Sequence, residues 1–174
     1  MAIMEKDISK TIHLYTNHYF SGSKRFQRSM KRLEDLYSNI KVFSPKTLLD
    51  VGCGIGYFVD YCRKHGIKAE GIDFAPSLKE YWWKDKPYFR IGEASELPFA
   101  DKSFDIVFSS DFFEHVPEEE VSIVNKEMHR VGKVVIAKIA FEADLHNSQV
   151  LYHCTNKPKE WWVDKLKPTI VLEY

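Results

Sequence analysis

The chain is 174 residues long, enough for one domain with a sizeable core. Its 25 basic and 25 acidic side chains cancel, so no global field favours nucleic acid or an anionic membrane surface. The composition, 44% hydrophobic and 14% aromatic, is that of a folded globular protein, and its three cysteines (Cys53, Cys62 and Cys154) are an odd number without C-x-x-C spacing, which argues against a disulfide framework or a zinc site.

The first ten residues, MAIMEKDISK, alternate charge with apolar groups and lack the unbroken apolar stretch of a signal peptide. The longest apolar run, residues 134–141, is interrupted by Lys138 and is far too short to span a bilayer. A soluble, cytoplasmic protein with no metal requirement is the expectation. Residues 12–23 carry Tyr15, Tyr19 and Phe20 and reach Gly22, which reads as a short helix and a hinge. Residues 24–40 place Phe26, Met30, Leu33, Tyr37 and Ile40 at helical spacing among charged groups, predicting an amphipathic helix laid against a sheet. Residues 1–43 are therefore set apart as an N-terminal helical segment packed on a core of residues 44–174.

The core opens on TLLDVGCGIGYF, residues 47–58. A short apolar run closed by Asp50 leads into glycines at 52, 54 and 56, a buried strand entering a glycine-rich turn. Glycine there reaches backbone angles that a Cβ forbids and allows a ligand to approach the main chain. The following helix points its free N–H groups back at the turn. The dinucleotide fingerprint G-x-G-x-x-G would need glycine at 57, where this chain has Tyr57; the spacing is G-x-G-x-G instead. The helix ends at Gly66, and a second strand, KAEGIDF, ends in Asp73. An acid about 20 residues past the glycine turn, at the tip of the next strand, is placed to accept hydrogen bonds from ribose hydroxyls.

A helix beginning at Pro76 or Ser77 stops before Pro87; its adjacent Trp82 and Trp83 face different ways, one toward the core. A third strand, residues 88–91, precedes Gly92-Glu93-Ala94, then Leu97-Pro98-Phe99, then Phe104-Asp105 and a fourth strand, residues 105–109, that leads into Ser110. Asp111, Glu114 and His115 follow, side chains able to polarise or deprotonate a nucleophile. Pro117 with three glutamates starts a helix to about His129, and Gly132 starts a fifth strand. The remainder reads as a loop from 141 to 157, a helix in PKEWWVDKLK and a last strand, TIVLEY.

Leu48-Leu49-Asp50-Val51-Gly52-x-Gly54-x-Gly56, with the Gly92-Glu93-Ala94, Leu97-Pro98-Phe99 and Phe104-Asp105 segments, resembles the class I S-adenosylmethionine-dependent methyltransferases over about residues 44–140. The resemblance implies an α/β fold: a three-layer αβα sandwich with a mostly parallel, doubly wound sheet and a reduced C-terminal edge, only one of two further antiparallel edge strands being readable. It implies S-adenosylmethionine as cofactor. Gly52, Cys53, Gly54 and Gly56 would wrap its amino-acid end, and Asp50 would hold the loop or the ligand's ammonium through water. Asp73 would take the ribose, Phe74 one face of the adenine, and Glu93 with Ala94 the exocyclic amine. Ser110 would line the site. Glu93 stands where aspartate is more usual, and the Lys-Pro-Gly-Gly turn before the fifth strand is shortened to Arg130-Val131-Gly132. Asp111, His115 and His153 are the catalytic candidates, and Tyr15, Tyr19 and Phe20 candidates for a cofactor lid. The acceptor expected is a small molecule or a glycan precursor. Two other readings stay open: a nicotinamide-dependent oxidoreductase, which Asp50, the glycine spacing and the Leu-Pro-Phe segment oppose, and a catalytically silent binding subunit, which the retention of Asp50, Asp73 and Glu93 opposes.

Overall fold

A computed structural model describes residues 30–141 and 153–172. Six strands form one sheet: β1 (Thr47–Val51), β2 (Lys68–Asp73), β3 (Phe89–Ile91), β4 (Phe104–Ser110), β5 (Gly132–Lys138) and β6 (Ile170–Leu172), in the order β3-β2-β1-β4-β5-β6. Every pairing is parallel. Parallel neighbours need crossovers, and helices supply four of the five: α2 (Tyr57–Lys64) after β1, the short α3 (Ser77–Tyr81) after β2, α4 (Glu118–Val131) after β4 and α5 (Lys159–Lys165) after β5. The helix preceding the sheet, α1, spans Met30–Lys41.

The strands are apolar on both sides because both faces are covered. On one face Leu48, Ala69, Ile106, Phe108 and Ile136 pack with Leu33, Leu36 and Ile40 of α1, with Phe58, Val59 and Cys62 of α2 and with Leu78 of α3. On the other, Leu49, Ile72, Val107, Val135 and Ala137 pack with Val121, Val124 and Met128 of α4 and with Trp162 and Leu166 of α5. This is the three-layer sandwich expected. Reversal of the winding direction between β1 and β4 opens a crevice at their carboxyl ends.

Three expectations are corrected. The last strand is not part of an antiparallel edge: β6 runs parallel to β5 with Ile136 opposite Ile170, since α5 returns the chain to the amino end of the sheet. In α1 the inward stripe is Leu33, Leu36 and Ile40, with Tyr37 on its flank; Met30 is 62% exposed. The shortened turn before β5 has vanished: α4 ends at Val131 and β5 begins at Gly132, where a Cβ would stand 2.6 Å from a Val107 methyl and 3.0 Å from the Met128 carbonyl oxygen. Trp83 is the inward member of its pair and Trp82 the more exposed one. Tyr15, Tyr19, Phe20 and Phe26 lie outside the described residues.

Candidate active site

The glycine turn folds back on the sheet through its own backbone. Gly52 and Cys53 N–H groups both donate to the Ile72 carbonyl, at 2.9 and 3.2 Å, and Gly56 N–H donates to the Cys53 carbonyl. Gly52, Gly54 and Gly56 all take positive φ (70°, 55° and 88°), the region that penalises any residue with a Cβ. At two of these positions the missing side chain makes room for protein: a Cβ on Gly52 would lie 2.3 Å from the Phe112 ring, and one on Gly56 2.2 Å from the Phe89 ring. Phe112, just beyond β4, is thereby packed against the glycine turn beyond β1.

Asp73 locks the turn to the tip of β2. Its Oδ2 accepts from Gly54 N–H at 3.0 Å and its Oδ1 from Ala75 N–H at 3.1 Å. Burial pushes this carboxyl up from 3.8 to about 6 against the pull of those N–H groups, and the nearby charge of Glu93 adds to the rise. With a further backbone bond from Phe74, the carboxylate still has acceptor capacity for a ligand hydroxyl. Glu93 is exposed just past β3, beside a half-buried Ala94, and Phe74 packs half-buried at the edge of the core. Trp83 Nε1–H donates to the Gly54 carbonyl at 3.2 Å and so holds the turn from beneath. Asp50 is buried in β1 and lies toward α2, where its charge reinforces the effect of burial in raising the Cys62 thiol. Cys53 is half-buried against Gly71.

The second half of the crevice forms at the tip of β4. Ser110 is buried, and its hydroxyl donates to Asp111 at 3.3 Å. Asp111 stands at φ 56°, unusual for a non-glycine residue, and pairs with Arg32 of α1. The chain then turns through a single 3-10 turn, Phe113–His115. Glu114 on that turn is buried: Oε1 lies 3.4 Å from Ala140 N–H, and Oε2 has no hydrogen-bond partner among the described residues. Burial, with a smaller contribution from the Asp111 charge, pushes its carboxyl up to about 8. His115 and His153 meet edge to face with centroids 4.8 Å apart. The contact is set by Thr155, whose N–H donates to the Glu114 carbonyl at 3.1 Å and whose hydroxyl donates to the Val116 carbonyl at 2.7 Å.

Asp50, the three glycines, Cys53, Asp73, Phe74, Glu93, Ala94 and Ser110 are thus gathered along the carboxyl ends of β1 to β4, with Asp111, His115 and His153 beside them. Sequence reasoning missed Arg32 and Thr155, whose only signal lies in partners far along the chain. It also missed the clamp on the Leu-Pro-Phe segment: Arg130 donates to the Leu97 and Phe99 carbonyls and pairs with Glu127, which accepts from Leu97 N–H. A hollow of about 330 Å³ bordered by Thr47, Lys68 and Phe104 sits at the amino ends of the strands, the end opposite the crevice.

Comparison with known proteins agrees with this geometry. Residues 49–134 match the model of a methyltransferase domain family. The chain is 35% identical over 97 residues to norajmaline N-methyltransferase of Rauvolfia serpentina, covering 51% of this chain and 32% of that protein. It is also 35% identical over 125 residues to demethylmenaquinone methyltransferase of Alkalihalophilus pseudofirmus, covering 63% and 52%. The chain therefore spans only about a third to a half of the length of these two relatives. Among solved structures, a Pyrococcus horikoshii protein superposes with a TM-score of 0.55 at 29% identity, over 69% of this chain and 57% of that one. A methyltransferase dependent on S-adenosylmethionine from Archaeoglobus fulgidus shares the fold, with a TM-score of 0.65 at 23% identity over 78% and 65%. Residues 49–134 thus match a methyltransferase domain family, and the fold around them is one shared with a solved S-adenosylmethionine-dependent methyltransferase.

Proposed function

We propose that the protein transfers a methyl group from S-adenosylmethionine to a small-molecule acceptor. The observation that carries this reading is the contact between the two halves of the crevice: the Phe112 ring fills the space beside Gly52, so the cofactor turn and the Asp111–His115 segment form one wall. Bound there, S-adenosylmethionine supplies a sulfonium methyl already activated for in-line displacement.

The residues present fit that cofactor. Asp73 offers its remaining acceptor capacity to ribose hydroxyls, Glu93 and Ala94 border the place for the adenine edge, and Phe74 can cover one face of the ring. Gly54 and its neighbours shape the turn for the amino-acid end, with Asp50 holding the turn from below and Ser110 and Cys53 on its margin. Most of the acceleration then comes from aligning the acceptor atom with methyl and sulfur. For a hydroxyl or ammonium acceptor a proton must leave, and His115 or His153 is placed to take it. Asp111, held by Arg32 and Ser110, is a positioning group. The names of the two relatives, one an N-methyltransferase of norajmaline and one a methyltransferase of demethylmenaquinone, favour a small acceptor. They offer no support for a glycan precursor, a nicotinamide cofactor or a silent subunit.

A screen of small hydroxyl- and amine-bearing compounds with S-adenosylmethionine carrying a labelled methyl tests this. Label moving to at least one compound, with slower transfer in His115→Ala, is the expected result. Product formation that His115→Ala and His153→Ala both leave unchanged would remove the histidines from the chemistry.

A further inference from the structure

Two histidines and a glutamate meet at the tip of β4. Their ligand atoms, one from each of Glu114, His115 and His153, all lie within 4.8 Å of one another. Donors on a shared ion with bonds of about 2.0 to 2.2 Å sit roughly 3 to 3.5 Å apart, so modest side-chain rotation closes the set. The second observation is independent of that spacing. Glu114 is 1% exposed, yet its Oε2 has no hydrogen-bond partner among the described residues. A buried carboxylate oxygen without a donor is costly, and native proteins seldom leave one so unless an ion or water completes it.

The geometry points to a divalent transition-metal site built from the Glu114 carboxylate and the imidazoles of His115 and His153. The framework is in place: Thr155 ties the segment bearing His153 to the carbonyls of Glu114 and Val116 on either side of His115. Two imidazole nitrogens and one carboxylate oxygen suit zinc, cobalt, nickel or iron(II) better than magnesium or calcium, which prefer oxygen alone. Three protein donors leave at least one coordination position for water or for an acceptor oxygen. The site does not depend on what the methyl acceptor is. If the acceptor is a hydroxyl compound, the ion would lower the pKa of the oxygen it binds, a consequence that rests on the proposed methyl transfer.

The experiment uses the full chain, first treated with a chelator, then titrated with cobalt(II) and followed by visible absorption. The expected result is saturable d–d absorption at one equivalent, bleached by zinc, together with a metal-dependent rise in thermal midpoint. His153→Ala and Glu114→Gln should each weaken cobalt binding by at least tenfold while S-adenosylhomocysteine binding, the check on folding, persists. Should Glu114→Gln fail to fold, His115→Ala serves in its place. Absence of saturable absorption in the unsubstituted chain, or absorption that His153→Ala leaves unchanged, would overturn the site whatever becomes of the methyltransferase reading.

Discussion

The two halves of the crevice are built differently. On the β1–β2 side the site is made of backbone: positive-φ glycines, N–H groups donating to the Ile72 carbonyl, and one carboxylate, Asp73, that binds the same turn it would use to bind ribose. On the β4 side it is made of side chains brought from far apart, with Arg32 reaching Asp111 across 79 residues and Thr155 reaching Val116 across 39. The first half is fixed by two short stretches, the glycine turn at 52–56 and the strand tip at 72–73 that it is bonded to. The second depends on long-range packing, and it is where an acceptor would be chosen.

The sharpest way to break the contrast is at Gly56. Gly56→Val adds a Cβ where φ is 88° and where the Phe89 ring stands 2.2 Å away. Left-handed strain plus overpacking should cost roughly 2 to 4 kcal/mol in urea unfolding. A loss under about 1 kcal/mol would mean that the turn tolerates side chains and is not set by its backbone. Next comes Asp73→Ala, which should weaken S-adenosylhomocysteine binding by about 1 to 3 kcal/mol in calorimetry. Unchanged affinity would take Asp73 out of the ribose site.

The same residue gives a pH test. The carboxylate is the form that accepts from ribose hydroxyls, and it is lost below about 6, so affinity for S-adenosylhomocysteine should fall as pH drops from 7 to 5. The stability of the ligand-free chain responds in the opposite sense. A carboxyl held above its ordinary 3.8 favours the fold while protonated, and that contribution is lost as pH rises through about 6. Asp73→Asn should flatten both dependences over that interval.

On the β4 side, Thr155→Val removes the hydroxyl's buried hydrogen bond to the Val116 carbonyl, leaves the backbone bond to Glu114 in place, and should cost about 1 to 2 kcal/mol. The more telling readout is cobalt affinity, which should drop with it, since His153 is positioned through Thr155. Arg32→Ala is the smallest effect expected. The pair with Asp111 is about one-third exposed on both sides, and its loss should change stability by less than about 1 kcal/mol.

What was legible in the sequence follows the same division. The turn after β1, the acid at the tip of β2 and the order of strands and helices are local patterns of period and spacing, and they were readable at once. The inward stripe of α1 was read with Met30 in it and Leu36 left out, because periodicity alone does not say where a helix begins to lose contact with the sheet. The direction of β6 depends on where α5 delivers the chain, which no residue within TIVLEY encodes. Asp111, His115 and His153 could be named from their chemistry, but not the burial of Glu114 or the bridge through Thr155. Both arise only when residues 153–157 are laid against residues 114–118.

The central claim is that this crevice is shaped for a sulfur nucleoside, and calorimetric titration of the full chain with S-adenosylhomocysteine and, separately, with NAD tests it most directly. Saturable binding of S-adenosylhomocysteine that Asp73→Ala weakens, with no heat from NAD, is the predicted result. Binding of NAD with none of S-adenosylhomocysteine would contradict it.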